Sequence, residues 1–303
     1  MHYIVVSDNK KMDKREILKE IKMPHAELLE YLLNKYGPAK SDYFATPECR
    51  SKSKKISRTS EGLYCHHMDE DKGGNLSKSA SAAMQPFEWQ KKERLVYCNA
   101  LEHLILHMKI AVLRHNEELK RPTDIDRFFT THGIHMICEE INDMFIDKGT
   151  SINWRKRCYE EFRDNYADYI QLIKGLMLYI EKAYTGEKEK GAFLKIGSCV
   201  HFADGDAEII KISKRKDKIL LHCENGKDLS CYTYVAAHQQ LTYKDCVDIQ
   251  FRDMASGYES FYNQIYDDFI NFPVNDEVEA YATALTIDFS KEEFAWGSRF
   301  FLK

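Results

Sequence analysis

Several features that define other protein classes are scarce in this sequence of 303 residues. No apolar run is long enough to cross a membrane, so we expect no transmembrane helix and no membrane partner. The N-terminal stretch MHYIVVSDNKKMDK lacks the apolar segment of a signal peptide, which argues against secretion. The nine cysteines are odd in number and irregularly spaced, which indicates buried thiols in a reducing compartment. Together these absences predict a cytoplasmic protein.

A general excess of positive charge is also missing, because the formal net charge is −4. Any surface that binds nucleic acid must therefore be local. The best local candidate is RSKSKKISR, residues 50–58, in which five of nine residues are basic. Such side chains contact phosphates without reading base sequence, although a solvated charged loop would look the same. The candidate phosphate-binding residues are Arg50, Lys52, Lys54, Lys55 and Arg58.

Histidines, by contrast, are concentrated, and four of the twelve form two tight pairs. His66 and His67 are adjacent, and His103 and His107 are four residues apart. The run from Phe87 to Arg121 contains neither Gly nor Pro, and its apolar periodicity predicts a helix. Residues four apart on a helix share one face, about 6 Å from each other, so one divalent cation could meet both imidazoles. A third ligand from the first pair would leave positions open, as catalytic metal sites require.

The order of these residues resembles a known family. The pair HH, a gap and then LVYC-x4-H-x3-H is similar to the HNH endonucleases, also called ββα-metal or His-Me finger nucleases. The lead-in YLLNKYGPAKSDYF further resembles the N-terminal flank of phage and prophage members, which implies action inside a bacterial host cell. The resemblance implies two strands followed by a helix, with His66, His103 and His107 as metal ligands. It also implies that His67 is the general base for hydrolysis of DNA.

One position departs from the family pattern. The family's middle Asn usually stands nine residues before the first helical histidine, and Arg94 occupies that position here. We therefore expect Arg94 to contact the phosphate in its place and to act beside His67. Three imidazoles favour Zn²⁺ or Ni²⁺, whereas Mg²⁺ prefers oxygen ligands, so Zn, Ni, Mn and Mg all remain open.

The chain changes character along its length, and we expect an α+β protein of four parts. Residues 124–148 and 152–184 have helical periodicity and predict a bundle. Short apolar alternations with Asp-Gly and Asn-Gly turns predict a small SH3-like β-barrel after residue 190. From residue 245 onward, twelve acidic residues face four basic ones, and aromatic residues recur at helical spacing. The predicted parts are the HNH-like domain with N-terminal helices, 1–121; the helical segment, 122–190; the barrel, 191–244; and the acidic amphipathic region, 245–303.

Three functions fit this sequence. The first is a metal-dependent DNA endonuclease. The second is a phage-derived inhibitor of a host defence system, in which the HNH-like fold is a scaffold and the acidic C-terminal region binds a protein partner. The third is an accessory protein that binds DNA through the basic residues without chemistry. The sequence leaves cleavage specificity and oligomeric state open.

Overall fold

The computed structural model describes residues 14–114, 133–150, 152–184 and 259–285, the strands between 199 and 232, and a few single positions. These residues form a mixed α+β fold with two small antiparallel sheets. No helix among them is long and apolar enough to cross a membrane. The elements are α1 (Lys14–Lys22), α2 (His25–Tyr36), β1 (Tyr64–His67), α3 (Ser79–Ala82), β2 (Leu95–Cys98), α4 (Ala100–Arg114), α5 (Ile134–Asp147), α6 (Asn153–Phe162), α7 (Tyr166–Ala183), β3 (Cys199–Phe202), β4 (Gly205–Ile212), β5 (Lys218–Cys223), β6 (Asp228–Tyr232), α8 (Glu259–Asn271) and α9 (Asp276–Ala284).

Two short helices begin the described chain. Pro24 separates α1 from α2 and stands at the N-cap of α2, where its fixed φ suits a helix start. Gly37 ends α2 with φ 76°, and its N–H donates to the carbonyl of Leu33 at 2.8 Å. That conformation favours glycine, and the arrangement satisfies one of the last helical carbonyls. Both helices follow from the sequence pattern.

The expected helix from Phe87 to Arg121 is wrong over its first part. Residues 87–90 and 92–94 form single 3₁₀ turns, and Leu95–Cys98 is strand β2. All four residues of β2 are buried, and they pair antiparallel with β1, which places His66 opposite Val96. Helix α4 starts only after Asn99, whose side chain accepts from the Glu102 N–H at 2.9 Å while Glu102 accepts from the Asn99 N–H at 2.7 Å. This reciprocal cap fixes the start of α4.

The other long helical prediction is also interrupted. Residues 152–184 form two helices, α6 and α7, which are separated at Asn165. The Asn165 side chain donates to the carboxylate of Asp168 at 2.7 Å, and its N–H donates to the Phe162 carbonyl at 2.8 Å. Asn165 therefore ends one helix and begins the next. Of the predicted helix 124–148, the structure describes the part that contains α5.

One hydrophobic core joins most of these helices. Its buried residues run from Ile17 in α1 through α4, α5 and α7 to Leu285. The acidic C-terminal region contributes to this core, because Ile265 and Phe269 of α8 are buried. Polar contacts add to the packing: the Tyr166 hydroxyl donates to Asp268 at 2.6 Å. The described parts of residues 1–121, 122–190 and 245–303 thus share a core.

The second sheet is open rather than closed. Its four strands follow the order β3-β4-β5-β6, each antiparallel to the next. One face buries a small apolar cluster made of Ala207, Ile209, Ile219 and Leu221. The prediction of short antiparallel strands is confirmed, but the SH3-like barrel is wrong for the described strands, which form no closed barrel, and residues 233–244 of the predicted barrel lie outside the described residues. Closure requires the first and last strands to meet, and β3 and β6 stay unpaired with each other.

Candidate metal centre

Three of the histidines singled out in the sequence meet in space. His66 lies on β1, and His103 and His107 lie one turn apart on α4. One nitrogen from each ring lies within 4.8 Å of the others, and the cluster could hold a metal ion. The ring centroids of His66 lie 5.4 Å from His103 and 5.2 Å from His107. The β1–β2 pairing positions the first ligand, and the capped start of α4 positions the other two.

The state of these rings suits metal binding. Burial lowers the pKa of His66 well below its usual range and lowers the pKa of His103 to about 3. Both imidazoles are therefore neutral at pH 7, and a metal ligand must have a free nitrogen lone pair. His66 is 1% exposed, and neither of its ring nitrogens makes a hydrogen bond among the described residues. A buried polar group without a partner is costly, and a cation would supply one for His66.

A carboxylate also reaches the cluster. Glu70 Oε2 lies 3.2 Å from His107 Nε2 and 3.5 Å from His66 Nδ1, and the side chain is 12% exposed. Burial alone would raise the pKa of Glu70, but it is lowered, and the hydrogen bond from His107 is the largest of the opposing causes. An ionised carboxylate needs a positive neighbour, yet burial keeps His66 and His103 neutral. The arrangement therefore attracts a cation.

The adjacent histidine has a different environment. His67 is buried, and its Nε2 lies 2.9 Å from Gln90 Oε1. The Gln90 amide nitrogen donates to the Leu76 carbonyl at 3.3 Å, so its oxygen faces His67 and accepts from Nε2–H. This tautomer leaves a lone pair on Nδ1, which is 4.0 Å from Glu70 Oε1. Burial lowers the pKa of His67, so the ring is a neutral acceptor, and Tyr43 contacts one face at a centroid distance of 4.4 Å.

Arg94, the expected phosphate contact, is engaged elsewhere. Its guanidinium donates to both carboxylate oxygens of Asp69, at 2.7 Å and 2.6 Å. Asp69 also accepts from Lys72 at 2.8 Å. Arg94 is absent from the residues that line the cavity over the histidines. The bidentate pair holds the loop after β1, which carries Glu70, so in this structure Arg94 supports the site from outside.

The five basic residues of 50–58 divide into two groups. Arg58 donates to Glu61 at 2.9 Å and to the Tyr36 carbonyl, and it lies over the Tyr97 ring. Lys52 lies over the Tyr43 ring, 4.3 Å from its centroid. The others, Arg50, Lys54 and Lys55, are exposed. Lys52 is exposed as well but contacts an aromatic ring, whereas Arg58 is part of the fold.

A cavity of about 290 Å³ lies over the histidine cluster. One wall is the loop 74–78, and the other is the start of α5, including Gly133, Met136 and Glu140. Gly133 has φ 75°, and a Cβ atom there would lie 3.3 Å from both Nδ1 and Cε1 of His107. This α5 wall was not evident from the sequence. Arg114 is the last residue of α4, beyond the histidines. It also lines the cavity, and its Nε donates to the Asp71 carbonyl at 2.7 Å.

Comparison with known proteins adds no assignment to this geometry. No protein-family model, curated protein or solved structure matches the chain.

Proposed function

We propose that this protein is a metal-dependent endonuclease that hydrolyses phosphodiester bonds in DNA. The observation that carries the proposal is the pairing of a three-histidine cluster with a separate, neutral histidine in one cavity. The cluster suits a divalent ion, and His67 suits a general base. The strand–strand–helix order of β1, β2 and α4 also agrees with the fold implied by the HNH resemblance.

His67 would act as the base through Nδ1. Gln90 holds the proton on Nε2, so Nδ1 is the nitrogen that can accept a proton from an attacking water. The water oxygen would bond to phosphorus as the P–O bond to the leaving oxygen breaks. His66, His103 and His107 would hold the ion, which stabilises negative charge on the phosphate when bound. Three imidazoles favour Zn²⁺, Ni²⁺ or Co²⁺ over Mg²⁺.

The surroundings offer positive charge for a phosphate backbone. Arg114 and Lys78 line the cavity itself, and Arg50, Lys54 and Lys55 are exposed on the segment that precedes β1. These groups would neutralise phosphates without contacting bases. The proposed substrate is therefore DNA bound by its backbone.

The test is nicking of supercoiled plasmid with Zn²⁺, Ni²⁺, Mn²⁺, Mg²⁺ or no metal. We expect metal-dependent nicking by the wild type and a loss of about 10²–10⁴-fold in rate for His67→Ala, the usual contribution of a general base. Metal binding should remain in this variant. His222→Ala is the matched control, because His222 is an exposed histidine on the separate sheet. Nicking by His67→Ala at the wild-type rate would rule out this mechanism.

A protein that binds the ion but never nicks DNA would favour the protein-binding scaffold. The described acidic region offers less free surface for that role than the sequence suggested. In α8, Asp268 accepts from Tyr166, and in α9, Glu279 pairs with Lys182.

A further inference from the structure

The position of Glu70 goes beyond the three-histidine site. We propose that Glu70 is itself a fourth protein ligand, through Oε2, so that the resting site is a three-histidine, one-carboxylate centre. This inference rests on the metal site of the proposed function and not on nuclease activity.

The distances around Glu70 Oε2 agree with shared coordination. This oxygen lies 3.2 Å from His107 Nε2 and 3.5 Å from His66 Nδ1. With metal–ligand bonds of about 2.0–2.1 Å, neighbouring ligand atoms of a tetrahedral Zn²⁺ ion lie about 3.4 Å apart. The two separations bracket that value. The three histidine nitrogens lie within 4.8 Å of one another, so the rings would move closer together as an ion brings them and Glu70 Oε2 to bonding distance.

The orientation of His107 supports Nε2 as its ligand atom. The other side of the ring, with Nδ1, faces Gly133 so closely that an added Cβ would lie 3.3 Å away. Little room remains for an ion on that side. Nε2 is therefore the nitrogen that faces the cluster, and it is the same atom that Glu70 approaches.

The loop that carries Glu70 is held in place independently of the histidines. Asp69, the preceding residue, is fixed by Arg94 and Lys72. The Glu70 N–H donates to the His67 carbonyl at 3.2 Å, which closes the turn directly after β1. The carboxylate is thus directed into the cavity by the backbone. His66 Nδ1, the ring nitrogen that Glu70 Oε2 approaches, is buried and makes no hydrogen bond among the described residues.

A fourth ligand changes what the site does at rest. Three protein ligands leave a tetrahedral ion with an open position, whereas four fill it. A phosphate oxygen is also an anionic oxygen ligand, so it would bind where Glu70 binds or enlarge the coordination number. Glu70 would therefore set how readily the resting ion accepts a phosphate group.

The test compares Glu70→Gln with wild type in metal binding alone. Zn²⁺ affinity is measured by calorimetry, and coordination is measured by the visible absorption of the Co²⁺-loaded protein. We expect the intense four-coordinate Co²⁺ spectrum of the wild type to change in Glu70→Gln, and Zn²⁺ affinity to fall at least about 100-fold, since even outer-shell partners are worth about 10–100-fold. Glu70→Asp should retain part of the affinity, because it keeps a carboxylate.

Glu140→Gln is the matched control, since Glu140 lines the same cavity from α5. Circular dichroism establishes that each variant is folded. If Glu70→Gln keeps the wild-type Co²⁺ spectrum, Glu70 merely orients His107 by accepting its N–H, and the inference is overturned even if affinity declines. An effect equal to that of Glu140→Gln would overturn it too. A wild-type protein that binds no metal would overturn both this inference and the proposed function, whereas metal binding without nicking would remove only the latter.

Discussion

Two polar clusters lie beside the start of α4, and only one of them is built around a lysine. The lysine cluster consists of Glu16, Glu20, Lys35, Tyr36 and Glu102. The histidine cluster consists of His66, His103, His107 and Glu70. Glu102 and His103 are neighbours in sequence, so their side chains leave α4 about 100° apart.

In the lysine cluster, Lys35 contacts the carboxylates directly. Lys35 Nζ lies 2.6 Å from Glu102 and 3.3 Å from Glu20, and the Tyr36 hydroxyl donates to Glu102 at 2.9 Å. Burial alone would lower the pKa of Lys35, but it is raised, above all by the charge of Glu102, so the lysine stays charged. In the histidine cluster, no lysine or arginine forms an ion pair with Glu70 among the described residues, and Arg114, which lines the same cavity, donates to the Asp71 carbonyl. The difference agrees with our proposal that the first cluster serves the fold and the second receives an ion.

Breaking the lysine cluster should have the largest effect on the free energy of unfolding. Lys35→Met removes the cation and leaves carboxylates buried, which typically costs about 3–5 kcal/mol in the free energy of unfolding. Added Zn²⁺ should not recover the loss. Urea unfolding with and without Zn²⁺ measures both quantities. The control is Lys182→Met, which breaks a pair with Glu279 that is about half exposed and worth about 0–1 kcal/mol. Equal losses of stability in Lys35→Met and Lys182→Met would show that the lysine cluster contributes no more to the fold than an exposed ion pair.

At the histidine cluster, by contrast, stability should depend on bound metal. An ion at 100 times its Kd stabilises the folded wild type by about 2.7 kcal/mol, and His107→Ala should lose that increment. Thermal unfolding in chelator and in Zn²⁺ gives the comparison, with metal stoichiometry measured on the same samples. His222→Ala should keep the full increment. Zn²⁺ stabilisation that survives both His103→Ala and His107→Ala would remove these residues from the site.

The smallest effect concerns pH and Glu20. Burial first, and then the charge of Glu102, raise the pKa of Glu20 from 4.5 to about 9. The folded state therefore keeps a proton that the unfolded state releases, and stability declines as pH rises from about 4.5 to 9. We expect wild type to lose on the order of 1–2 kcal/mol between pH 6 and 8, and Glu20→Gln to flatten this slope.

Glu16→Gln is the control for that profile. Although burial alone would raise the pKa of Glu16, its contacts with Lys35 lower it, so its contribution is lost only as pH falls into the acid range. Its replacement should leave the slope between pH 6 and 8 intact. A Glu20→Gln profile that keeps the wild-type slope would show that Glu20 is ionised in the folded state.

The sequence predicted the parts of the site that depend on local spacing. His103 and His107 are four residues apart on a helix, and the HH pair lies on a strand. The sequence was therefore enough to predict that three histidines lie close together. Glu70 is one of three consecutive acidic residues. The sequence did not single it out, because the turn after β1 decides which of the three side chains points into the cavity. Gln90 contacts His67 across 23 residues and has no periodic signal at all.

The errors arose where tertiary contacts override local pattern. LVYC continues a helical periodicity, yet pairing with β1 makes it a strand. Arg94 looked available for a phosphate, but its Nε and Nη2 both donate to Asp69. Arg58 looked like part of a solvated charge run, but it binds the end of α2.

The α5 wall over the histidine cluster has a consequence for biosynthesis. All four cluster residues precede residue 108, whereas the wall begins at Gly133 and includes Glu140. At translation rates of about 5–20 residues per second, the stretch between His107 and Glu140 takes roughly 2–7 seconds to make. The ligands therefore leave the ribosome before the segment that covers them has emerged. Metal insertion would have a short interval of easier access during synthesis, and loading of the finished protein should be slower than loading of the emerging one.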